Sequence, residues 1–278
     1  MNQKYLFFTV FISGMTTLAI EMGASRLLGS VFGTSNLVWA SIIGLIMIYL
    51  TVGYYLGGRW ADRRPNLVTF YTILIWGAFS SGLVPFVARP VLRAAADAFD
   101  ALQTGVLVGS FVAVLVLFIV PITLLGTISP FAIRLALQDS RKAGQVSGRI
   151  YAISTLGSFV GTFIPVIVLI PLIGTTFTFL AFAGLLVLVA LFGLWQDSGP
   201  RAALKWSWMP ILLLILAILW GRANIKATAG QIYEGESAYN YIQVLEQGDF
   251  RYLRLNEGQG VHSIYHPEQL AFHGPWMQ

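Results

Sequence analysis

Gly105-Val-Leu-Val-Gly-Ser-Phe-Val-Ala-Val-Leu-Val-Leu-Phe-Ile-Val-Pro-Ile-Thr-Leu-Leu125 contains no charged side chain. A helix of about 20 such residues is long enough to cross a hydrocarbon core of about 30 Å. Comparable apolar runs fall at 5–24, 37–56, 67–88, 150–173 and 175–195. A shorter one, 206–220, is bounded by Trp206 and Trp220, and tryptophan favours the membrane–water boundary. The first run leads into Glu21-Met-Gly-Ala-Ser-Arg26 with no small-residue cleavage site, so it reads as a helix and not as a removable leader. The strict polar/apolar alternation of an outer-membrane barrel is absent. The expected fold is an all-α polytopic membrane protein of about seven transmembrane helices with a small C-terminal β-hairpin segment.

Composition points the same way. Of the 278 residues, 56% are hydrophobic and 10% are charged, and the mean hydropathy is +0.74. Soluble domains carry about 25% charged residues, so that class is excluded. With no cysteine, disulfides, thiolate metal sites and a cysteine nucleophile are excluded too. The net charge of +5 suggests no nucleic-acid partner, because basic loops of a membrane protein set its orientation. The loops after the second, fourth and sixth runs carry Arg59, Arg63 and Arg64, then Arg134, Arg141, Lys142 and Arg149, then Arg201 and Lys205. The other side has Arg26, Arg89 and Arg93 before the last run. The positive-inside rule then puts the N-terminus in the cytoplasm and the C-terminal segment outside, in a cell inner (plasma) membrane.

Between the third and fourth runs, Leu92, Ala95, Phe99 and Leu102 share one helical face, which predicts a short interfacial helix over 89–102. The composition changes after Gly221, dividing a membrane domain at 1–221 from an extramembrane segment at 222–278. In the latter, an aromatic and β-branched run from Ile232 is followed by Gln-Gly-Asp and then by Phe250-Arg-Tyr-Leu-Arg-Leu255, which predicts a hairpin. A third extended piece is expected at 260–265.

Ionisable groups are costly inside a membrane, which singles out Glu21 and Arg26 as intramembrane polar candidates. Five residues apart, they do not share a face, so each needs a partner elsewhere. Gly57-Gly-Arg-Trp-Ala-Asp-Arg-Arg-Pro65 reads as a tight basic turn on the cytoplasmic side, with Arg59, Asp62 and Arg63 as its candidates. It resembles the Gly-x-x-x-Asp-Arg loop of major-facilitator transporters. Gly157 and Gly161 form a small-x-x-x-small pattern, suited to packing within the chain or to a homo-oligomer. The spacing of His262, His266 and His273 fits no standard metal motif, so no metal site is expected. No phosphate loop, nucleophile elbow or catalytic carboxylate pair is present, and no catalytic residue is assigned.

Two stretches carry a family resemblance. One is Glu21-Met-Gly-Ala-Ser-Arg-Leu-Leu-Gly-Ser-Val-Phe-Gly-Thr-Ser35, continued by Val38-Trp-Ala-Ser-Ile-Ile-Gly44 and 53–65. The other is Tyr233-Glu-Gly-Glu-Ser-Ala-Tyr-Asn-Tyr-Ile-Gln-Val244, with Arg251-Tyr-Leu-Arg-Leu-Asn-Glu-Gly258 and His262-Ser-Ile-Tyr265. Together they resemble membrane-fused spermidine synthase-like proteins, in which a multi-helix domain precedes a polyamine aminopropyltransferase domain. The resemblance implies that 222–278 corresponds to the N-terminal β-domain of spermidine synthases. It also implies that Tyr239-Asn240 lies where those enzymes place a Tyr-Gln pair, whose Gln touches the nucleoside; here Asn stands instead. No residue matches the Gly-rich turn or the catalytic Asp of their Rossmann-like domain. The chain is therefore expected to be non-catalytic as given, an accessory or structural subunit of a membrane complex that contacts a partner through Gly157/Gly161 or the β-segment. No cofactor is expected in this chain, and decarboxylated S-adenosylmethionine only if a catalytic domain follows. The alternatives are a membrane-bound aminopropyltransferase (a transferase) whose catalytic domain is not included, and a transporter of polyamines or other small solutes.

Overall fold

A computed structural model of the chain describes residues 3–102, 106–226, 228–258, 260–266 and 268. The helices are α1 (Gln3–Phe32), α2 (Asn36–Arg63), α3 (Leu67–Leu102), α4 (Val106–Gly126), α5 (Ile128–Ala136), α6 (Ala143–Ile164), α7 (Ile170–Ser198), α8 (Pro200–Leu204) and α9 (Trp208–Trp220). A single 3₁₀ turn, Ser140–Lys142, leads into α6, and a π-helical stretch, Pro165–Leu169, joins α6 to α7. Among the described residues six helical stretches are long and apolar enough to cross a membrane, the longest being Ser140–Ser198.

That longest stretch is two passes. At the α1–α6 contact, Gly157 faces the Phe11 carbonyl and Gly161 faces the Met15 carbonyl, so the two helices run parallel. At the α1–α7 contact, Gly23 faces the Phe179 ring, and the Tyr5 hydroxyl donates to the Val189 carbonyl at 2.5 Å, so these run antiparallel. The chain must therefore reverse between α6 and the body of α7, and it does so at Gly174, whose φ of +79° only glycine adopts readily. The expected break between 173 and 175 falls on this residue.

The same reasoning orders the remaining passes. Ser110 meets Ser41 near one end of α4 and α2, and Gly57 meets Thr127 near the other, so this pair is parallel. Gly82 meets Ala183 and Gly193 meets Tyr71, so α3 opposes α7. Ring pairs Trp76–Trp206 (5.9 Å) and Phe79–Trp208 (5.3 Å) lay α9 along α3 in the same direction. The result is an up-and-down bundle of seven passes.

Two apolar clusters fill it. One surrounds Leu6, Phe70, Ile75, Phe131 and Leu186, and the other surrounds Ile20, Leu28, Ile42, Phe118 and Phe179. The second extends to Ile225 and Tyr241, so the bundle core continues into the C-terminal module. Met47, Ile48, Leu156, Phe159, Ile167, Leu188 and Ile218 are exposed on the outside, a surface suited to acyl chains.

The C-terminal module is a four-stranded antiparallel meander, β1 (Gln231–Glu236), β2 (Tyr241–Gln247), β3 (Phe250–Leu255) and β4 (Val261–Tyr265), in that order across the sheet. The expected hairpin is β2–β3, closed by Gly248-Asp249 with Gln247 opposite Phe250. Gly248 has a φ of +61°, the backbone that two-residue hairpins demand. The run from Ile232, expected as one strand, breaks into two at Ser237–Asn240, where the Ser237 N–H donates to the Asn240 carbonyl at 2.9 Å.

Three expectations are corrected. First, α3 continues to Leu102 with Pro85 and Pro90 inside it, so 89–102 is its final part and not a separate helix. Second, Gly57 to Arg63 belong to α2, because Gly57 allows α2 to press against Thr127; Arg59, Asp62 and Arg63 are a helix end and not a loop. The following helix is capped by Asn66, whose Oδ1 accepts from the Thr69 N–H at 2.8 Å. Third, Gly157 and Gly161 are buried against α1, where any side chain would collide with the Phe11 and Met15 carbonyls. Of the two expected uses, packing within the chain is the one realised, and the homo-oligomer contact through these glycines is set aside.

Candidate functional site

The sheet lies against the end of the bundle formed by the C-terminus of α1, the start of α2 and the Gly174 elbow. This placement determines which polar side chains meet. Arg26, in the last two turns of α1, donates one guanidinium N–H to the Tyr239 carbonyl at 2.9 Å and another to the Ser237 carbonyl. It thereby grips the β1–β2 turn. Within that turn the Ser237 hydroxyl oxygen accepts from the Asn240 N–H at 2.9 Å.

Glu236, the last residue of β1, reaches the elbow. Its two carboxylate oxygens accept from the Thr175 N–H and the Thr175 hydroxyl, both at 2.5 Å. Thr175 opens the body of α7, so Glu236 caps a helix N-terminus from outside the bundle, where exposed N–H groups and the helix dipole favour an anion. Burial holds the Glu236 carboxyl above the usual carboxylate range, opposed by the Thr175 hydrogen bonds and by Arg26.

The connector from α9 adds a second layer. The Lys226 ammonium donates to the Asn256 carbonyl at 2.7 Å and lies 5.2 Å from the centre of the Tyr241 ring. Burial lowers its pKa to about 8, against the nearby Glu257 and Glu234 carboxylates. Glu234 accepts from the Ile225 N–H at 3.0 Å and from Gln231 Nε2 at 2.8 Å. Asn256, at a φ of +52°, accepts from the Tyr241 N–H and donates to Asn240 Oδ1, each at 3.1 Å. Arg89, 9% exposed on α3, donates to the Trp220 and Ala223 carbonyls at 2.8 and 2.6 Å, closing the C-terminal end of α9.

Of the residues singled out in the sequence, Arg26, Tyr239 and Asn240 come together here. Tyr239 is 85% exposed, and Asn240 has its amide oxygen engaged by Asn256. Glu21 lies one turn before Arg26, half-buried, with no hydrogen-bond or ion-pair partner among the described residues. Arg59, Asp62 and Arg63 are at the opposite end of the bundle. There Arg59 donates to the Tyr55 hydroxyl at 2.7 Å, and Asp62 pairs with Arg134 of α5 at 3.2 Å, both side chains well exposed. His262 lies on β4, His266 packs edge-on to Phe250 at 4.8 Å, and His273 lies outside the described residues. No group of three His, Cys, Asp or Glu side chains that could hold a metal occurs among the described residues.

Sequence reasoning missed Glu236, Thr175, Lys226 and Asn256. Only Thr175 had a local signal, as a hydroxyl residue directly after a glycine at a helix start. Two concavities border the junction: a groove of about 910 Å³ along the elbow, the connector and β1, and a smaller cavity of about 340 Å³ between α1, the 33–35 turn, α2 and the β1–β2 turn.

Comparison with models of protein families, with curated proteins and with solved structures gives no match to this chain.

Proposed function

We propose that the chain is a membrane-embedded accessory subunit of spermidine synthase-like type, in which the bundle is an anchor and the sheet a rigidly held platform for a partner. One observation carries this reading: Arg26, Glu236 and Lys226 are each bound to a backbone group or helix end across the junction, so the charge there couples sheet to bundle. The edge strands β1 and β4 are the elements suited to pairing with another chain. In this reading the protein sits in the cell inner (plasma) membrane with its N-terminus in the cytoplasm and the sheet outside. Purification in mild detergent tests it. A co-purifying membrane protein or a homo-oligomer that dissociates when β4 is disrupted is expected; a strictly monomeric chain with no companion overturns it.

A second reading, transport of a small cationic solute, is favoured by Glu21, a carboxylate within a span and without a partner among the described residues. Uptake into vesicles that is unchanged in Glu21→Gln counts against it.

A further inference from the structure

We propose that the cavity between α1, the 33–35 turn, α2 and the β1–β2 turn binds an anionic oxygen group, a phosphate or carboxylate, at the membrane surface. The cavity holds about 340 Å³, enough for such a group and part of what it is attached to. Arg26 lines it, and although two of its nitrogens bind carbonyls, its Nε is shut off from solvent and has no hydrogen-bond partner. A buried donor left unmade is costly, and each case calls for an explanation. The side chains of Ser25, Thr34 and Trp39 line the same cavity, and none makes a hydrogen bond among the described residues. Arg26, Ser25, Thr34 and Trp39 thus border one cavity, four residues whose side chains all carry hydrogen-bond donors.

Charge decides the class of ligand. The carboxylate that also borders the cavity, Glu236, has both oxygens turned to Thr175 at the start of α7's body. Its negative charge is met there by the helix end. The direct partners of Arg26, by contrast, are uncharged carbonyls. The guanidinium acts on Glu236 only through space and donates to neutral groups, so an anion accepting from it forms the stronger, charge-assisted type of hydrogen bond. The position at the bundle end admits two sources of that anion, a phospholipid headgroup or a free ion.

The test uses the whole chain in phosphatidylcholine nanodiscs. Thermal unfolding is followed against added inorganic phosphate at constant ionic strength, and against a rising mole fraction of phosphatidylglycerol in the discs. Stabilisation by phosphate identifies a free anion, and stabilisation by phosphatidylglycerol alone identifies a headgroup. Either supports the site if the Ser25→Ala/Thr34→Val double variant raises the half-effective concentration or mole fraction by about tenfold. Trp39→Phe, which keeps the ring and loses only the indole N–H, is the second variant if the double one is unstable. No response to either additive, or an equal response in wild type and variants, overturns the proposal.

Discussion

Lys226 and Arg89 show what a buried charge does at this membrane boundary. The native value of about 8 for Lys226 lies below its ordinary 10.5, so between these values the unfolded chain holds the proton more firmly than the native one. Stability therefore rises with pH across about 8 to 10.5, and this contribution is lost as pH falls through 8. Allowing for partial solvent access, the gain is about 1–2 kcal/mol. Melting of wild type against Lys226→Met in detergent checks it: wild type should gain stability relative to the variant as pH rises across that window, and a constant difference would show that the ammonium is not desolvated. Arg89 makes the complementary case. Two carbonyls after and at the end of α9 accept from it, so Arg89→Ala should cost about 2–3 kcal/mol and loosen α9 first. Hydrogen exchange confined to faster opening of 208–223 is the expected result.

At the scale of elements, close approach separates glycines that matter from those that do not. Gly157 and Gly161 let α6 touch the backbone of α1, where lipid supplies no hydrophobic drive and packing must hold the pair. Gly157→Ala forces the helices apart and should cost about 1–3 kcal/mol. Gly44, on the outer face of α2, has nothing near where a side chain would begin. Gly44→Ala should therefore be neutral or stabilising by about 0.5 kcal/mol through its effect on the unfolded chain. Thermal melting of the two variants side by side tests the assignment, and similar losses would refute it. The passes themselves were legible in the sequence because hydrocarbon tolerates only unbroken apolar runs, and Gly174 marked the reversal between two of them. The helix ends were not. α1 continues past Arg26 to Phe32, and carbonyls of the β1–β2 turn receive the guanidinium there. That contact joins residues 213 apart, which no local spacing encodes. Arg26 and Tyr239-Asn240 were each identified, therefore, but not as one site. Nothing local marked Glu236 as a helix cap, because its partner Thr175 lies on an elbow that only the folded bundle creates.

At the scale of the molecule, charge is sorted along the bundle axis. The end bearing the N-terminus holds Lys4, the α2–α3, α5–α6 and α7–α9 connections and their flanking turns, with ten basic residues against Asp62, Asp139 and Asp197. The upper part of the bundle and the sheet hold the other seven basic and nine acidic residues, so a net of +7 at one end faces −2 at the other. Translocating the first end is disfavoured, and the orientation proposed above, with that end in the cytoplasm and the sheet outside, rests on this. The native chain has no cysteine, so single cysteines report side without background. Asp249→Cys at the β2–β3 turn and Ser140→Cys before α6 are both in exposed turns of opposite ends. In intact cells a membrane-impermeant thiol reagent should label Asp249→Cys and leave Ser140→Cys unlabelled until the membrane is opened. The reverse pattern would place the sheet in the cytoplasm, and the anion cavity beneath it would then face the inner leaflet and the cytosolic pool of phosphates.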